Sequence, residues 1–159
     1  MTDEITEDYI RYMVEDYDKD DLTIATVCSH TSLQIFNGAI KEGFKTFGIC
    51  FWEPPRFYDV FPLGKPDSNM SVGSYMEILE WTDELARKNS TIVPHGSLVE
   101  YLGASNFATI KLPTFGNRKL LEWESDRRME RKWLEGAGIP MPRKIHDPRD
   151  TGCLEKVLT

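Results

Sequence analysis

The sequence predicts an α/β fold with a mostly parallel sheet. Two observations carry this. Short runs rich in β-branched residues alternate with segments of helical periodicity, the rhythm of strands joined by crossover helices. Glycines stand where those helical segments end, at Gly43 and Gly103. The length of 159 residues fits one domain with a real core.

Each element follows in order. Thr6 to Tyr17 reads as a short helix, with Ile10, Met13, Val14 and Tyr17 at helical spacing. The acidic turn Asp18-Lys19-Asp20-Asp21 leads into Leu22–Cys28, the first strand. After the turn Ser29–Ser32, a helix runs from Leu33 to Glu42, and Lys45–Phe51 is the second strand. Residues 53–69 contain four prolines and several aromatics; they read as a loop with a short strand near Tyr58–Phe61. Met76–Lys88 reads as a helix that faces Ile78, Leu79, Thr82, Leu85 and Ala86 inward. Ser90–Pro94 is a strand, and His95-Gly96-Ser97 turns into a short helix, Leu98–Leu102. A long charged helix is expected from Asn117 to about Glu135, with Trp123, Met129 and Trp133 inward, ended by Gly136-Ala137-Gly138. The tail Asp147–Thr159 has no pattern. The domain division expected is 1–116 as an α/β substrate-binding domain and 117–159 as a linker helix and extended segment.

Composition narrows the function. The formal net charge is -7, which disfavours nucleic acid as a partner. No apolar run approaches the roughly 20 residues that cross a bilayer, so no membrane partner is expected. The acidic start lacks the basic and apolar regions of a signal peptide, so the chain reads as cytoplasmic. The three cysteines form no C-x-x-C pair, and Cys28 and Cys50 read as buried small hydrophobes. Asp16-x-Asp18-x-Asp20 opens like a calcium loop, but Asp21 and Val27 stand where that loop needs Gly and Glu. Cys28, His30, Cys50 and His95 lack the spacing of a structural zinc site, so no metal ligand is assigned. No dinucleotide fingerprint, P-loop or nucleophile elbow occurs. In the charged helix, pairs such as Glu124 with Arg128 support a solvated face.

Right-handed crossovers place every strand-to-helix turn on one edge of the sheet, the edge where open α/β sheets bind ligands. Two turns there are rich in hydroxyls, Cys28-Ser29-His30-Thr31-Ser32 and Val93-Pro94-His95-Gly96-Ser97. Both present backbone N–H groups at a helix start, which suits a phosphate or carboxylate. An imidazole can hydrogen-bond a base or ribose, or pair with phosphate when protonated. Helix-terminus geometry selects Thr31, Ser32 and Gly96 as substrate-binding candidates. The plain alternative is that these hydroxyls only cap helices.

Four blocks carry a resemblance. Ser-His-Thr-Ser-Leu-Gln-Ile-Phe at 29–36 and Glu-Gly-Phe-Lys-Thr at 42–46 are similar to the start of the archaeal formate-dependent 5-formaminoimidazole-4-carboxamide ribonucleotide synthetases. So are Ile-Val-Pro-His-Gly-Ser-Leu-Val-Glu-Tyr-Leu-Gly at 92–103 and, taken as one block, residues 115–127 with the following 132–142. The blocks keep the family's order over roughly residues 22 to 142, with 53–75 the poorer match.

The resemblance implies a Rossmann-like domain of the kind that precedes an ATP-grasp module. It implies a ligase that joins formate to the amine of 5-aminoimidazole-4-carboxamide ribonucleotide in purine (IMP) biosynthesis. ATP is split to ADP and phosphate with magnesium, by way of formyl phosphate. It implies that His30 and Ser97 contact the nucleotide substrate. ATP and magnesium fall on no residue of this sequence, and the catalytic residues are unknown. The chain by itself is therefore expected to be catalytically silent: part of a longer enzyme, a truncated copy, or a stand-alone relative that has kept binding. A homo-oligomer, or a partner chain carrying the ATP-grasp part, stays open. Two other functions stay open beside it. One is a non-catalytic interaction module that docks through Trp123, Trp133, Ile139 and Met141. The other is a flavodoxin-like domain for another phosphorylated ligand.

Overall fold

A computed structural model describes residues 5–144. The tail Asp147–Thr159, with Cys153, lies outside the described residues. The chain divides into two compact units, Met1–Ser125 and Asp126–Thr159.

The first unit opens with helix α1 (Glu7–Glu15), whose N-terminus is capped by the Thr6 hydroxyl accepting the Tyr9 N–H. Strand β1 (Thr23–Val27) leads to α2 (Ser32–Lys41) and β2 (Lys45–Phe51). Next come α3 (Phe57–Val60), a 3₁₀ turn (Pro62–Gly64) and β3 (Ser68–Val72). A second 3₁₀ turn (Tyr75–Leu79) and α4 (Thr82–Arg87) lead to β4 (Ser90–Ile92). The unit ends with α5 (Gly96–Leu102), α6 (Ala104–Ala108) and α7 (Arg118–Ser125). Gly43 and Gly103 sit at φ +84° and +83°, beyond the ends of α2 and α5, where a side chain would be strained.

The four strands form one parallel sheet in the order β3-β2-β1-β4. The α/β fold with a parallel sheet is therefore the one the alternation predicts. Side-chain parity splits the core in two. Ala25, Val27, Phe47 and Ile49 point to one face, where they pack with Ile78, Leu85, Leu98, Leu102 and Phe107. Cys28 and Cys50 point to the other, with Phe36 of α2 and Tyr58 of α3. Helices α2 and α5 thus lie on opposite faces. The outer edge of β4 is covered by residues 113–115, through Ile92 N–H to the Pro113 carbonyl (2.9 Å) and Phe115 N–H to the Ile92 carbonyl (2.8 Å).

Three elements differ from the sequence expectation. Tyr58–Phe61 is not a strand. Tyr58 is buried in the helical turn α3, its ring 6.3 Å from that of Phe36, and Pro62 opens the following 3₁₀ turn where no N–H is needed. The strand of this region is β3, which buries only Val72 fully and so shows little alternation. Met76–Lys88 is not one helix. Ser74 and Glu77 form a capping box on the 3₁₀ turn, and the Thr82 hydroxyl bonds back to the Leu79 carbonyl (3.3 Å) where the chain restarts as α4. Ile78, Thr82 and Leu85 are buried as expected. The charged helix also breaks, because Asp126 is extended.

In the second unit, α8 (Arg127–Gly136) starts at Asp126, whose carboxylate accepts the N–H groups of Arg128 and Met129. Trp123 on α7 and Trp133 on α8 are exposed rather than packed inward, and Met129 is partly buried. Arg131 pairs with Glu135 at 2.7 Å and donates to the Pro142 carbonyl at 2.6 Å. Among the described residues no helix is long and apolar enough to cross a membrane.

Candidate functional site at the carboxyl edge of the sheet

From β1 the chain crosses outward to β2 over one face; from β4 it leaves into α5 over the other. Neighbouring strands whose connections depart to opposite faces leave a crevice at their carboxyl ends, the usual ligand position in such sheets. The crevice between β1 and β4 is flanked by the two hydroxyl-rich turns.

The second turn is stitched to β1. Val93 donates to the Ala25 carbonyl (2.9 Å), and the Thr26 hydroxyl donates to the Val93 carbonyl (2.8 Å). His95 makes the third link. Its Nδ1 accepts the Ser97 N–H at 3.2 Å, capping α5, and its Nε2 lies 3.2 Å from the Val27 carbonyl at the end of β1. Nδ1 as acceptor leaves the proton on Nε2, so the pair of bonds selects the neutral Nε2–H tautomer. Burial pushes the His95 pKa below its ordinary 6.5; the Val27 carbonyl opposes this, and nearby His30 adds to it.

The five sequence candidates divide by what their polar groups do. Ser32 is fully buried. Its hydroxyl lies 2.5 Å from the Ser29 carbonyl and 2.6 Å from the Tyr58 hydroxyl, and accepts the Ser29 N–H at 3.2 Å. Its own N–H goes to the Ser29 carbonyl at 3.0 Å. Ser32 thus braces the turn. Thr31 takes the N-cap position of α2 with no side-chain cap bond. His30 is exposed. Ser97 is partly buried and begins α5 beside Gly96, where an added Cβ would meet nothing within 4 Å. The Ser32 hydroxyl is thus taken up by Ser29 and Tyr58, whereas His30, Thr31 and Ser97 stand in the turns at the carboxyl ends of β1 and β4 with their side chains outside that network. Sequence reasoning did not select two further groups. One is His95 as the link between the second turn and the end of β1. The other is the Ser29 hydroxyl, buried with no hydrogen-bond partner among the described residues.

Two thiols lie below the first turn. Cys28 continues the β1–β2 pairing by donating its N–H to the Ile49 carbonyl at 2.7 Å, and its Sγ is 2.8 Å from that of Cys50. The bond to Cys28 and burial push the Cys50 pKa up. Both cysteines are buried and unbridged. Among the described residues no group of three or more His, Cys, Asp or Glu could hold a metal ion. The acidic turn is held by Asn89 instead, whose side chain accepts the Asp18 N–H and donates to the Asp18 and Asp21 carbonyls. A separate cavity of about 350 Å³ lies at the opposite, amino edge of the sheet, among Asp21, Lys45, Asp67 and Lys88.

Sheet order defines a parallel α/β domain whose connections reverse between β1 and β4. The chain belongs to a family described as "Protein of unknown function (DUF1246)", whose profile matches residues 24–145. It is 59% identical over 146 residues to a Methanosarcina mazei protein named 5-formaminoimidazole-4-carboxamide-1-(beta)-D-ribofuranosyl 5'-monophosphate synthetase 1. That alignment covers 92% of this chain and 41% of the relative. Synthetases of the same name are 59% identical over 144 residues in Methanococcoides burtonii (91% of this chain, 40% of the relative) and 40% identical over 145 residues in Archaeoglobus fulgidus (90% and 39%). The chain thus spans about 41% of the length of the Methanosarcina mazei relative.

Proposed function

We propose that the chain is the nucleotide-substrate-binding part of an ATP- and formate-dependent ligase that formylates 5-aminoimidazole-4-carboxamide ribonucleotide in purine biosynthesis. The observation that carries this is the 59% identity over 92% of the chain to a synthetase so named. The crevice supports it chemically. His30, Thr31 and Ser97 offer an imidazole and two hydroxyls to a sugar phosphate, and the start of α2 adds the positive end of a helix dipole. Neutral His95 holds the second turn without adding charge.

The chain's part in the reaction is to bind and orient the nucleotide so that its ring amine faces the activated formate. ATP, when bound, would supply the activation of formate, and no described residue is assigned to hold it. Magnesium does not fit the described residues, because no carboxylate cluster is present among them. No catalytic role is assigned to any side chain of this chain. The partners proposed are therefore small molecules, the ribonucleotide and formate, in a cytoplasmic setting.

Calorimetric titration of the ribonucleotide tests the proposal. Saturable binding, weakened at least tenfold by His30→Ala and by Ser97→Ala, is expected. A folded chain that takes up no ribonucleotide at millimolar concentration would refute it.

A further inference from the structure

A second feature of the same edge has no part in the turns. Beyond the ends of β2 and β3 lies a cavity of about 500 Å³ lined by Phe51, Gly73, Ser74, Tyr75 and Tyr101. Its volume is in the range of small-ligand pockets, and its rings form one tier. Tyr75 and Tyr101 lie parallel within 4°, centroids 5.0 Å apart, and Phe51 stacks on Tyr75 at 5.5 Å and 27°. Rings that serve only to fill a core are buried. Here Phe51 is 46% exposed and Tyr101 is 56% exposed.

The neighbouring Trp52 adds an independent sign. It sits at φ +62°, a left-handed conformation that a bulky residue rarely adopts. Its N–H donates to the Val72 carbonyl at 2.9 Å, which holds the bend, and its ring stands edge-on to Phe51 while 69% exposed. The bend leaves the Trp52 ring in solvent beside the cavity.

We infer that the Phe51–Tyr75–Tyr101 tier is the subsite for the planar heteroaromatic ring of a 5′-phosphorylated nucleoside. This rests on the proposed function and adds which part of the substrate goes where. Ser97 and Tyr101 are four residues apart on α5, on one face and roughly 6 Å along the axis. A sugar phosphate at Ser97 therefore has the Tyr101 ring within reach of its base. Ser74 and Gly73, held by the capping box with Glu77, form the polar rim of the cavity.

The test is calorimetric titration of two probes, 5-aminoimidazole-4-carboxamide ribonucleotide and ribose 5-phosphate, into the chain and its Tyr101→Ala, Tyr101→Phe and Phe51→Ala variants. Base–aromatic stacking leads us to expect that Tyr101→Ala weakens the ribonucleotide on the order of ten- to hundredfold. Phe51→Ala acts in the same direction, Tyr101→Phe retains the ribonucleotide, and ribose 5-phosphate is unaffected throughout. Equal affinity of the two probes for the unaltered chain, or unchanged ribonucleotide binding in Tyr101→Ala, overturns the ring subsite and leaves the sugar-phosphate turns standing. Binding of neither probe overturns both.

Discussion

Replacing His95 cuts the structure at one defined place. The imidazole makes two bonds with its two nitrogens, one capping α5 through the Ser97 N–H and one reaching the Val27 carbonyl. Losing an N-cap costs about 1 kcal/mol. Losing a neutral hydrogen bond costs about 1 kcal/mol, and up to about 3 kcal/mol if the carbonyl stays dry and unpaired. His95→Ala should therefore lower unfolding free energy by about 2–3 kcal/mol in urea at pH 7.5, taken from the two losses together. His95→Asn restores a good cap but cannot also reach β1, so it should recover about 1 kcal/mol.

The pH profile separates this account from a simple packing loss. Burial holds the folded His95 below its ordinary pKa of 6.5, so the unfolded chain takes up that proton first as pH falls. Where the unfolded state binds more protons, stability rises with pH. The His95 contribution is therefore present in full above pH 6.5 and is lost as pH falls toward the folded-state pKa. Protonation also removes Nδ1 as an acceptor and breaks the cap. The stability difference between the parent chain and His95→Asn should shrink from pH 7.5 to 5.5. A difference constant across that range would refute the neutral-imidazole link.

Three further outcomes follow from the packing. Tyr58→Phe should cost about 1–2 kcal/mol in urea, because it takes a buried partner from Ser32; no loss would mean that this bond contributes nothing. In a Cys153→Ser background, Cys28 and Cys50 should resist an aromatic disulfide reagent in the folded chain and both react once unfolded, since both thiols are buried; rapid labelling of the folded chain would contradict this. Asp126→Ala should reduce far-UV helical signal by fraying the first turn of α8, and the parent chain should lose the same signal in acid. Bonds from the Arg128 N–H hold the Asp126 carboxyl below 3.8, so its cap persists above that value and fails as pH falls through the lower folded-state pKa.

Much of the fold was legible because its strands are buried on both faces. Leu22–Cys28 and Lys45–Phe51 are continuous β-branched or apolar runs, and Gly43 marks the helix stop between them. The edge strand β3 was not legible. Ser68-Asn69-Met70-Ser71-Val72 pairs on one side and buries little, so burial leaves hardly any pattern in it. The breaks at Trp81 and Asp126 were missed for another reason. Helical periodicity runs across both, and only local bonds, from the Thr82 hydroxyl and the Asp126 carboxylate, decide where the backbone turns. The reversal of connections between β1 and β4 is a property of sheet order, and no local window contains it.

The site shows the same limit at the scale of single atoms. Ser29, Thr31 and Ser32 share one turn and look alike by residue type, yet only Ser32 is committed through its side chain. The group that commits it, the Tyr58 hydroxyl, comes from 26 residues further along a segment that reads as a loop. Spacing can bring a hydroxyl to an edge, but a distant contact decides whether it faces ligand or core. Ser32→Ala should therefore act on stability, whereas His30→Ala and Ser97→Ala, whose side chains take no part in that network, should act on ligand affinity with unfolding free energy within about 0.5 kcal/mol of the parent. Unfolding and binding measured side by side on the three variants would separate them. A Ser32→Ala chain of parental stability that has lost ribonucleotide would return Ser32 to the ligand side of the turn.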